Sequence, residues 1–313
     1  RINIDTPGFK EYKEIPVRVS LHLNNEDLTY DFTHGDAHIK SEDNGFLWYR
    51  RGKLPTFKRS ALDLNEEFGN KISRHINHRF DLDMQRLHAF ISKSQFRAAK
   101  GSLGSPFQIG VNKLDILVKA KEVGILIPPT LITSEKSEAR KFLNKHKKII
   151  CKAISESIHE WDVDRDVEVI QYTESVTHED LDSWPDTFNP ILFQSELDKD
   201  YEIRACFFDG DIFPMTIYSQ NDEQTQTDFR NYNGKKPNRN FPFKFEPEME
   251  AKLRDFMINA NLNFGQIDLV RTKDGNYYFL EINPPGQFKM TSAPCNFPIE
   301  KLIAKKMIDL NEK

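Results

Sequence analysis

The chain has 313 residues, 38% of them hydrophobic and 29% charged, which is enough for about two globular domains with sizeable cores. Its net charge of -4 disfavours attraction to a nucleic-acid backbone, and no apolar run reaches the roughly 18 residues of a membrane helix. We therefore expect neither a nucleic-acid partner nor a membrane partner. Cys151, Cys206 and Cys295 are odd in number and far apart, which predicts free thiols in a reducing compartment, the cytoplasm.

Short strands followed by a long helix are predicted for the first third of the chain. Alternating hydrophobicity indicates strands over Val17 to Leu23, Leu28 to Thr33 and Gly45 to Tyr49. Apolar residues at helical spacing then run from Ser60 to about Ser94. Clustered glycines between residues 101 and 110 break this unit, and we place a domain boundary near residue 108.

Helices and strands also alternate in the rest of the chain. An amphipathic helix is expected over Val111 to Val123, followed by a short strand after Pro128-Pro129. A helix from about Ser134 to His146 and a strand from Lys148 to Ile154 come next. The helical spacing of Ile299 to Leu310 predicts a final packed helix.

Two Asp-Gly pairs, Asp209-Gly210 and Asp274-Gly275, lie between alternating apolar runs of the last third. Asp-Gly in this setting is the strongest short-range signal for a β-hairpin. We expect two antiparallel hairpins. Their strands are Tyr201 to Phe208 with Ile212 to Tyr218, and Gln266 to Thr272 with Asn276 to Ile282.

The second hairpin is predicted to place oxygen-bearing side chains together. If Asp274 and Gly275 are the two central turn residues, Asp268 lies directly opposite Glu281, with Cβ atoms about 5 Å apart. Two like charges at this distance call for a cation, and Asn283 points to the same face as Glu281 because side chains alternate along a strand. Carboxylate and amide oxygens suit magnesium.

The alternative for these acids is an ordinary solvated strand face. The same register pairs Val270 with Phe279 and Thr272 with Tyr277 on that face, which would make it partly apolar. Burying a carboxylate without a partner in such surroundings would cost roughly several kcal/mol of folding free energy. The partly apolar surroundings therefore favour a metal site at these acids over a solvated strand face.

Two stretches of the last third resemble known proteins. Phe264 to Asp268, taken with Phe279 to Pro284, resembles the metal-binding end of the ATP-grasp superfamily. Leu280 to Phe288, followed by Ser292 to Ala304, is more closely similar to the graspetide-type peptide maturases, and the second of these runs indicates their grasp-with-spasm branch. Further similarities, in matching order, are Trp48-Tyr49-Arg50-Arg51, Asn112-Lys113, Lys152, Gln194 to Glu196, Glu202-Ile203-Arg204, Ser219-Gln220 and Asp228-Phe229-Arg230.

This resemblance implies a mixed α/β (α+β) fold of the ATP-grasp type in three lobes. They are an N-terminal pre-ATP-grasp domain over residues 1–108, a central lid over 109–190 and a C-terminal antiparallel-sheet catalytic domain over 191–313. Related maturases begin with a strand and a helix before the segment that resembles Arg1 to Asp5. We therefore expect such a βα unit, of roughly 25 to 40 residues, to precede this numbering.

ATP and Mg2+ are the cofactors that the resemblance implies. Asp268, Glu281 and Asn283 would hold magnesium against the phosphates, and Lys113 and Lys152 would meet the phosphates themselves. Without the resemblance, a solvated surface lysine is the commoner interpretation of Lys113 and Lys152. Many ATP-grasp enzymes carry a glycine-rich loop after the lysine strand, whereas residues 155–159 here contain no glycine.

The resemblance also implies which residues bind the adenosine moiety and the reacting phosphate of ATP. Backbone groups of the hinge strand at Gln194, Glu196 and Leu197 would meet adenine, and Glu202 would bind the ribose hydroxyls. Arg204 would reach the γ-phosphate or an acyl phosphate. For a single glutamate or arginine in an alternating strand, the common outcome is a side chain that faces solvent.

A polar run from Ser219 to Thr227 precedes Asp228-Phe229-Arg230, where the related maturases carry Asp-Trp-Arg. Arg230 would grip an acidic side chain of the substrate peptide with a two-pronged hydrogen bond. Asp228 is the candidate general base.

The implied enzyme is an ATP-dependent carboxylate ligase that macrocyclises a ribosomal precursor peptide made of leader and core. An Asp or Glu side chain would become an acyl phosphate, and a Thr or Ser hydroxyl or a Lys amine would displace the phosphate. The resemblance also implies a homodimer and a leader site near residues 163 to 182. The alternatives are a ligase that adds glutamate to a protein terminus, a non-catalytic nucleotide-binding regulator, and a small-molecule kinase.

Overall fold

The computed structural model describes residues 17–34, 36–42, 45–50, 65–108, 111–155, 159–162, 167–170, 172–221, 237–284 and 286–311. Contacts divide the chain into two compact units, one of Arg1–Ile109 with Lys301–Lys313 and the other of Gly110–Glu300. The predicted mixture of helices and strands is confirmed. Among the described helices, none combines the length and the apolar character that crossing a membrane requires.

The first unit contains a three-stranded antiparallel sheet, a long helix and a parallel strand pair. Tyr30, Phe32 and Ile91 form its buried centre, where the sheet packs on the helix. Its elements are β1 (Val17–Leu23), β2 (Leu28–His34), β3 (Ala37–Lys40), β4 (Phe46–Trp48), α1 (Asn65–Ala98) and β5 (Gly101–Leu103).

The sequence missed two strands of this unit. β3 was not predicted, and β5 lies where the glycines indicated only a break. β5 has only three residues and pairs in parallel with β4, which is distant in sequence. No local sequence pattern therefore predicts this strand. The helix predicted to end near Ser94 continues to Ala98, and its predicted start at Ser60 lies outside the described residues.

The first half of the second unit is built on a four-stranded antiparallel sheet in the order β10-β7-β11-β6. Helices α2 and α3 begin within two residues of the predicted positions, and β7 is shorter than predicted at both ends. The elements are α2 (Lys113–Glu122), β6 (Thr130–Glu135), α3 (Lys136–His146), β7 (Ile149–Lys152), β8 (His159–Asp162), β9 (Val167–Ile170), β10 (Glu174–Val176), α4 (His178–Ser183) and β11 (Thr187–Ser195).

The two faces of this sheet differ in chemistry. Ile149 and Phe193 are fully buried on the face that packs against Ala139 and Leu143 of α3. Because side chains alternate along a strand, the neighbouring Lys152 and Gln194 belong to the opposite face. A lysine and an amide are thereby held on the side away from the small core.

A five-stranded antiparallel sheet in the order β14-β13-β12-β15-β16 forms the second half of this unit. Its two hairpins agree with the sequence prediction, as does the last helix of the chain, whereas α5 and α6 were not predicted. The elements are β12 (Lys199–Phe208), β13 (Asp211–Ile217), a 3-10 turn (Ser219–Asn221), β14 (Asn240–Pro242), α5 (Pro247–Asn259), β15 (Phe264–Thr272), β16 (Tyr277–Asn283) and α6 (Lys289–Cys295). The last helix, α7 (Ile299–Asn311), belongs to the first unit from Lys301 onward.

One face of the five-stranded sheet carries the main core. Ile203, Leu269 and Phe279 are almost completely buried there against α5, and the Phe279 ring lies 4.9 Å from that of Phe256. The intervening residues of β12 and β15 point to the other face, where Glu202, Arg204 and Asp268 are buried. The sheet therefore separates an apolar layer from a charged one.

The first hairpin has the predicted two-residue turn. Phe208 pairs with Asp211, and Asp209 and Gly210 both have positive φ, which is the type I′ geometry that favours Asp-Gly.

The predicted register of the second hairpin is correct at the acids and wrong near the turn. The turn has three residues, 273–275, because Thr272 N donates to Asn276 O, and Gly275 takes the positive φ. An extra residue, Leu280, then shifts β16 back, so that Asp268 does pair with Glu281.

The predicted neighbouring pairs change accordingly. Val270 pairs with Tyr278 instead of Phe279, and Tyr277 pairs with Arg271 instead of Thr272. Phe279 therefore lies in the main core, on the face opposite to the acids. The bulge allows Phe279 and Glu281, two residues apart, to point to opposite faces.

We predict that Phe279→Ala lowers the free energy of unfolding by about 3 to 5 kcal/mol, because it empties a fully buried site. Tyr278→Ala, at a half-buried neighbouring position, should cost about 1 kcal/mol or less. Urea unfolding followed by circular dichroism measures both values. Equal losses would contradict the bulged register.

Candidate functional site

The charged face of the five-stranded sheet centres on a buried ion pair. Arg204 and Asp268 are each 6% exposed and lie opposite each other on β12 and β15. Arg204 Nη1 donates to Asp268 Oδ1 at 3.2 Å and to Oδ2 at 3.1 Å. A carboxylate at this depth needs such a partner, because removing an ion from water costs several kcal/mol.

Glu281 continues this charged surface onto β16. It pairs with Asp268, as predicted, and Asn283 pairs with Gln266 two positions further along the strands. The structure therefore brings together all three residues that were predicted to hold magnesium. Asp268 is buried, whereas Glu281 and Asn283 are half-buried at the edge strand.

Lys113 links this edge to the four-stranded sheet. It is the first residue of α2, whose N-cap Asn112 accepts from Leu114 N. Its ammonium group lies 3.8 Å from Glu281 Oε2 and donates to the carbonyl oxygens of Ala153 and Ser155, both at 3.2 Å. A lysine that sequence alone would place on the surface therefore reaches a predicted metal ligand.

Glu202 is held by two residues that the sequence analysis gave no role. Its Oε1 atom accepts from Lys199 Nζ and from Ser219 Oγ, each at 2.9 Å, and its side chain is 6% exposed. Lys199 and Glu202 would point to opposite faces of a regular strand, but Asp200 is an extra residue between them. Sequence spacing alone could not show this contact, because it depends on the bulge.

The predicted hinge residues follow one another at the end of β11. Gln194 is completely buried and pairs with strands on both sides, while Glu196 N donates to Lys148 O and Leu197 O accepts from Lys199 N. Lys152 pairs with Leu192, on the same sheet face as Gln194. Of the residues predicted to bind the nucleotide, Lys152 and Gln194 thus share one face of the four-stranded sheet.

A thiol on the charged face is not a nucleophile. Cys206 pairs with Gln266, and burial raises the pKa of its thiol to about 12, although Gln266 and Arg204 pull in the other direction. The thiol is therefore protonated at neutral pH, whereas nucleophilic cysteines need thiolate character. All three cysteines are free, as predicted.

Asp228 and Arg230 lie outside the described residues, as do residues 156–158 of the loop without glycine. The roles predicted for them stay predictions.

The residues that are described fit Mg2+ and ATP. Asp268, Glu281 and Asn283 supply hard oxygen ligands of the kind that magnesium shares with phosphates. Two buried polar atoms, Arg204 Nε and Gln194 Oε1, have no hydrogen-bond partner among the described residues, which leaves one donor and one acceptor for a ligand.

We predict that Arg204→Met destabilises the fold by about 3 to 5 kcal/mol, because Asp268 would stay buried without its cation. Adding Asp268→Leu should restore most of the loss, giving a strong coupling energy in a double-mutant cycle of urea unfolding. The exposed Lys273 and Asp198 pair, 2.7 Å apart, is the matched control and should show little coupling. Additive losses at Arg204 and Asp268 would contradict the assigned pair.

Comparisons with protein-family models and with curated protein sequences found no match. Solved structures do match over nearly the whole chain. A RiPP-associated ATP-grasp ligase from Chryseobacterium gregarium, in complex with ADP and a leader and core peptide, is 23% identical, with a TM-score of 0.75 over 95% of this chain and 86% of that chain.

Two macrocyclases from Microcystis aeruginosa are similar as well. MdnC, bound with the precursor peptide MdnA, is 26% identical over 94% of this chain and 87% of its own, with a TM-score of 0.71. MdnB is 25% identical over 93% and 86%, with a TM-score of 0.67. The chain therefore has the ATP-grasp fold, and the resemblance to the graspetide maturases that its motifs carry is confirmed.

Proposed function

We propose that the chain is an ATP-dependent peptide macrocyclase that joins Asp or Glu side chains of a ribosomal precursor peptide to Thr or Ser hydroxyls or to Lys amines. The observation that carries this proposal is the paired Asp268 and Glu281, next to Asn283, on the charged face of an ATP-grasp sheet. The matched MdnC and Chryseobacterium structures contain a precursor peptide and a leader and core peptide, respectively.

The three oxygen ligands would hold Mg2+, and Lys113 would approach the phosphates from the edge that it shares with Glu281. Lys152 would approach from the four-stranded sheet. Bound ATP supplies the phosphoryl group that turns a peptide carboxylate into an acyl phosphate. The protein contributes positioned charges, which stabilise a transferring phosphoryl group without rearrangement during the reaction.

Arg204 and Glu202 orient the nucleotide in this proposal. Asp268 fixes the Arg204 guanidinium through Nη1, which directs the remaining donors of a planar group. Lys199 and Ser219 fix Glu202 Oε1, so that the carboxylate can accept hydrogen bonds from the ribose hydroxyls. Both side chains are thus held before the nucleotide arrives, which lowers the entropy cost of binding.

The proposal also covers the domains, the oligomeric state and the site of the leader peptide. Residues 1–108, 109–190 and 191–313 act as pre-ATP-grasp domain, lid and catalytic domain of a cytoplasmic homodimer. The leader binds near residues 163 to 182, where Val167 and Val169 of β9 are about half exposed and offer apolar contacts. The core peptide then reaches Asp268 and Glu281, and attack within one peptide gains a large effective concentration.

The direct test is incubation of the protein with ATP, Mg2+ and the short peptide encoded beside its gene, followed by mass spectrometry. We expect the loss of one water for each ring formed. Asp268→Asn should slow ring formation by at least about a hundredfold, because it removes a charge that acts on the phosphoryl group. Glu248→Gln, on the exposed start of α5, is the control and should retain full activity.

Other products would overturn the proposal. A gain of one glutamate on a protein terminus would identify an amino-acid ligase. Phosphate retained on a small molecule would identify a kinase. The absence of peptide-dependent ADP release would favour the nucleotide-binding regulator over the macrocyclase.

Arg230 provides a second test. Arg230→Ala should reduce macrocyclisation by about tenfold or more, because a bidentate bond to an acidic side chain of the core peptide is lost. Arg230→Lys keeps the charge but not the forked geometry and should recover only part of the rate. The ratio of kcat/KM values, measured with the precursor peptide, gives both effects. Unchanged macrocyclisation in Arg230→Ala would eliminate this role.

A further inference from the structure

Basic residues are concentrated in two segments of the first unit, although the chain as a whole is acidic. Residues 84–109 include four lysines and arginines and no acidic residue, and residues 44–62 include five and none. The described parts of these segments form β4, β5 and the second half of α1. In a chain with a net charge of -4, such segregation produces a local positive potential that attracts anions.

Three of these cations are held over aromatic rings. Lys93 Nζ lies 5.0 Å and Arg97 Cζ 5.6 Å from the centroid of the Phe107 ring. Arg50 Cζ lies 5.1 Å from the centroid of the Trp48 ring. We call these five residues the basic patch. Trp48 ends β4 and Phe107 follows β5, so both rings belong to the carboxyl end of a parallel strand pair, the end at which parallel sheets commonly bind ligands.

Lys93 and Arg97 lack an anionic partner. They lie four residues apart on α1, which places two like charges on one helix face, a repulsive arrangement. Among the described residues, no carboxylate forms an ion pair with either of them. Arg97 is exposed, and the Phe107 ring is 47% exposed. The two cations are therefore accessible without a charge that balances them, as expected of a site for an anionic ligand.

We propose that the basic patch is a docking surface for the acidic side chains of the precursor peptide. The inference rests on the proposed function, in which Asp or Glu side chains are activated, so that the substrate is acidic where it reacts. It adds a contact on the first unit to the leader site near residues 163 to 182. A peptide held by its leader reaches a second contact at a raised effective concentration, so weak binding at the patch is sufficient.

The chemistry of the patch suits carboxylates. Attraction to a ring orders a long cationic side chain, so less entropy is lost when a ligand binds. The N–H groups of an arginine remain donors in this arrangement, and their fork matches the two oxygens of a carboxylate. Next to Phe107, the buried Oε1 atom of Gln108 has no hydrogen-bond partner among the described residues, and a peptide N–H would satisfy it.

A nucleic acid is the other polymer of negative charge that a basic surface attracts. Single strands bind by stacking their bases on open aromatic faces. The Phe107 ring already contacts two cations and the edge of Phe96, whose centroid is 5.6 Å away, and Arg50 covers Trp48. Rings occupied in this way provide no platform for bases, which favours the peptide.

The test is a binding titration by fluorescence anisotropy without ATP, so that no ring forms. The probes are the labelled peptide encoded beside the gene and a neutral version in which Asn and Gln replace every core Asp and Glu. We expect the native chain to bind the acidic peptide about tenfold more tightly than the neutral one. Lys93→Gln combined with Arg97→Gln should lower this ratio by about fivefold and leave the affinity for the neutral peptide unchanged.

Two further variants separate charge at the patch from net charge. Lys121→Gln combined with Lys244→Gln removes the same charge from exposed positions of the second unit and is the matched control, which should keep the tenfold ratio. Phe107→Leu keeps both cations but removes the ring that orders them, so the ratio should fall by about threefold.

Mass spectrometry of the same peptide after incubation with ATP and Mg2+ distinguishes the two levels of failure. If the native chain forms no ring, the proposed function fails and the inference fails with it. If rings form but the native chain binds both peptides equally, or the change at Lys93 and Arg97 weakens both alike, the inference alone is overturned. A single-stranded oligonucleotide that binds more tightly than the acidic peptide, and loses affinity in the same variant, would also overturn it and assign the patch to nucleic acid.

Discussion

The burial of Asp268 is the constraint on which the rest of the site depends. A carboxylate that is 6% exposed is tolerated only where a cation is fixed beside it, and Arg204 occupies the directly opposite position on the next strand. The pair therefore requires β12 and β15 to be adjacent and in register. Once that register is set, Glu202 must share the face of Arg204, and Ile203 and Leu269 must point to the opposite, apolar face.

Two bulges adapt this regular sheet to its chemistry. Strict alternation would place Lys199 and Glu202 on opposite faces and would keep Phe279 on the face of Glu281. The extra residues Asp200 and Leu280 change both outcomes. The bulge at Asp200 allows Lys199 to contact the buried Glu202. The bulge at Leu280 allows Phe279 to pack in the core while Glu281 remains on the charged face. Bulges beside a site commonly redirect a side chain in this way.

The sequence predicted what depends on local pattern and missed what depends on distant pairing. It placed Asp268 opposite Glu281 from an assumed two-residue turn, and the result held because the longer turn and the bulge at Leu280 offset each other. Helix α5 was missed although it has a local signal, with Pro247 in its first turn and apolar residues facing the core. The contact of Lys199 with Glu202 had no such signal, because only the paired strand fixes the bulge that creates it.

Lys113 shows how the two sheets of the second unit are coupled. An ammonium group carries three hydrogens, and Lys113 directs its charge to two carbonyl oxygens that follow β7 and to a carboxylate on β16. Two of these acceptors are neutral carbonyl oxygens, and the third is the carboxylate of Glu281, 3.8 Å away on an edge strand. Together these oxygens fix the Lys113 ammonium group between the end of β7 and the charged face of the five-stranded sheet. The side chain therefore contacts residues of both sheets and fixes the end of β7 near the edge strand β16.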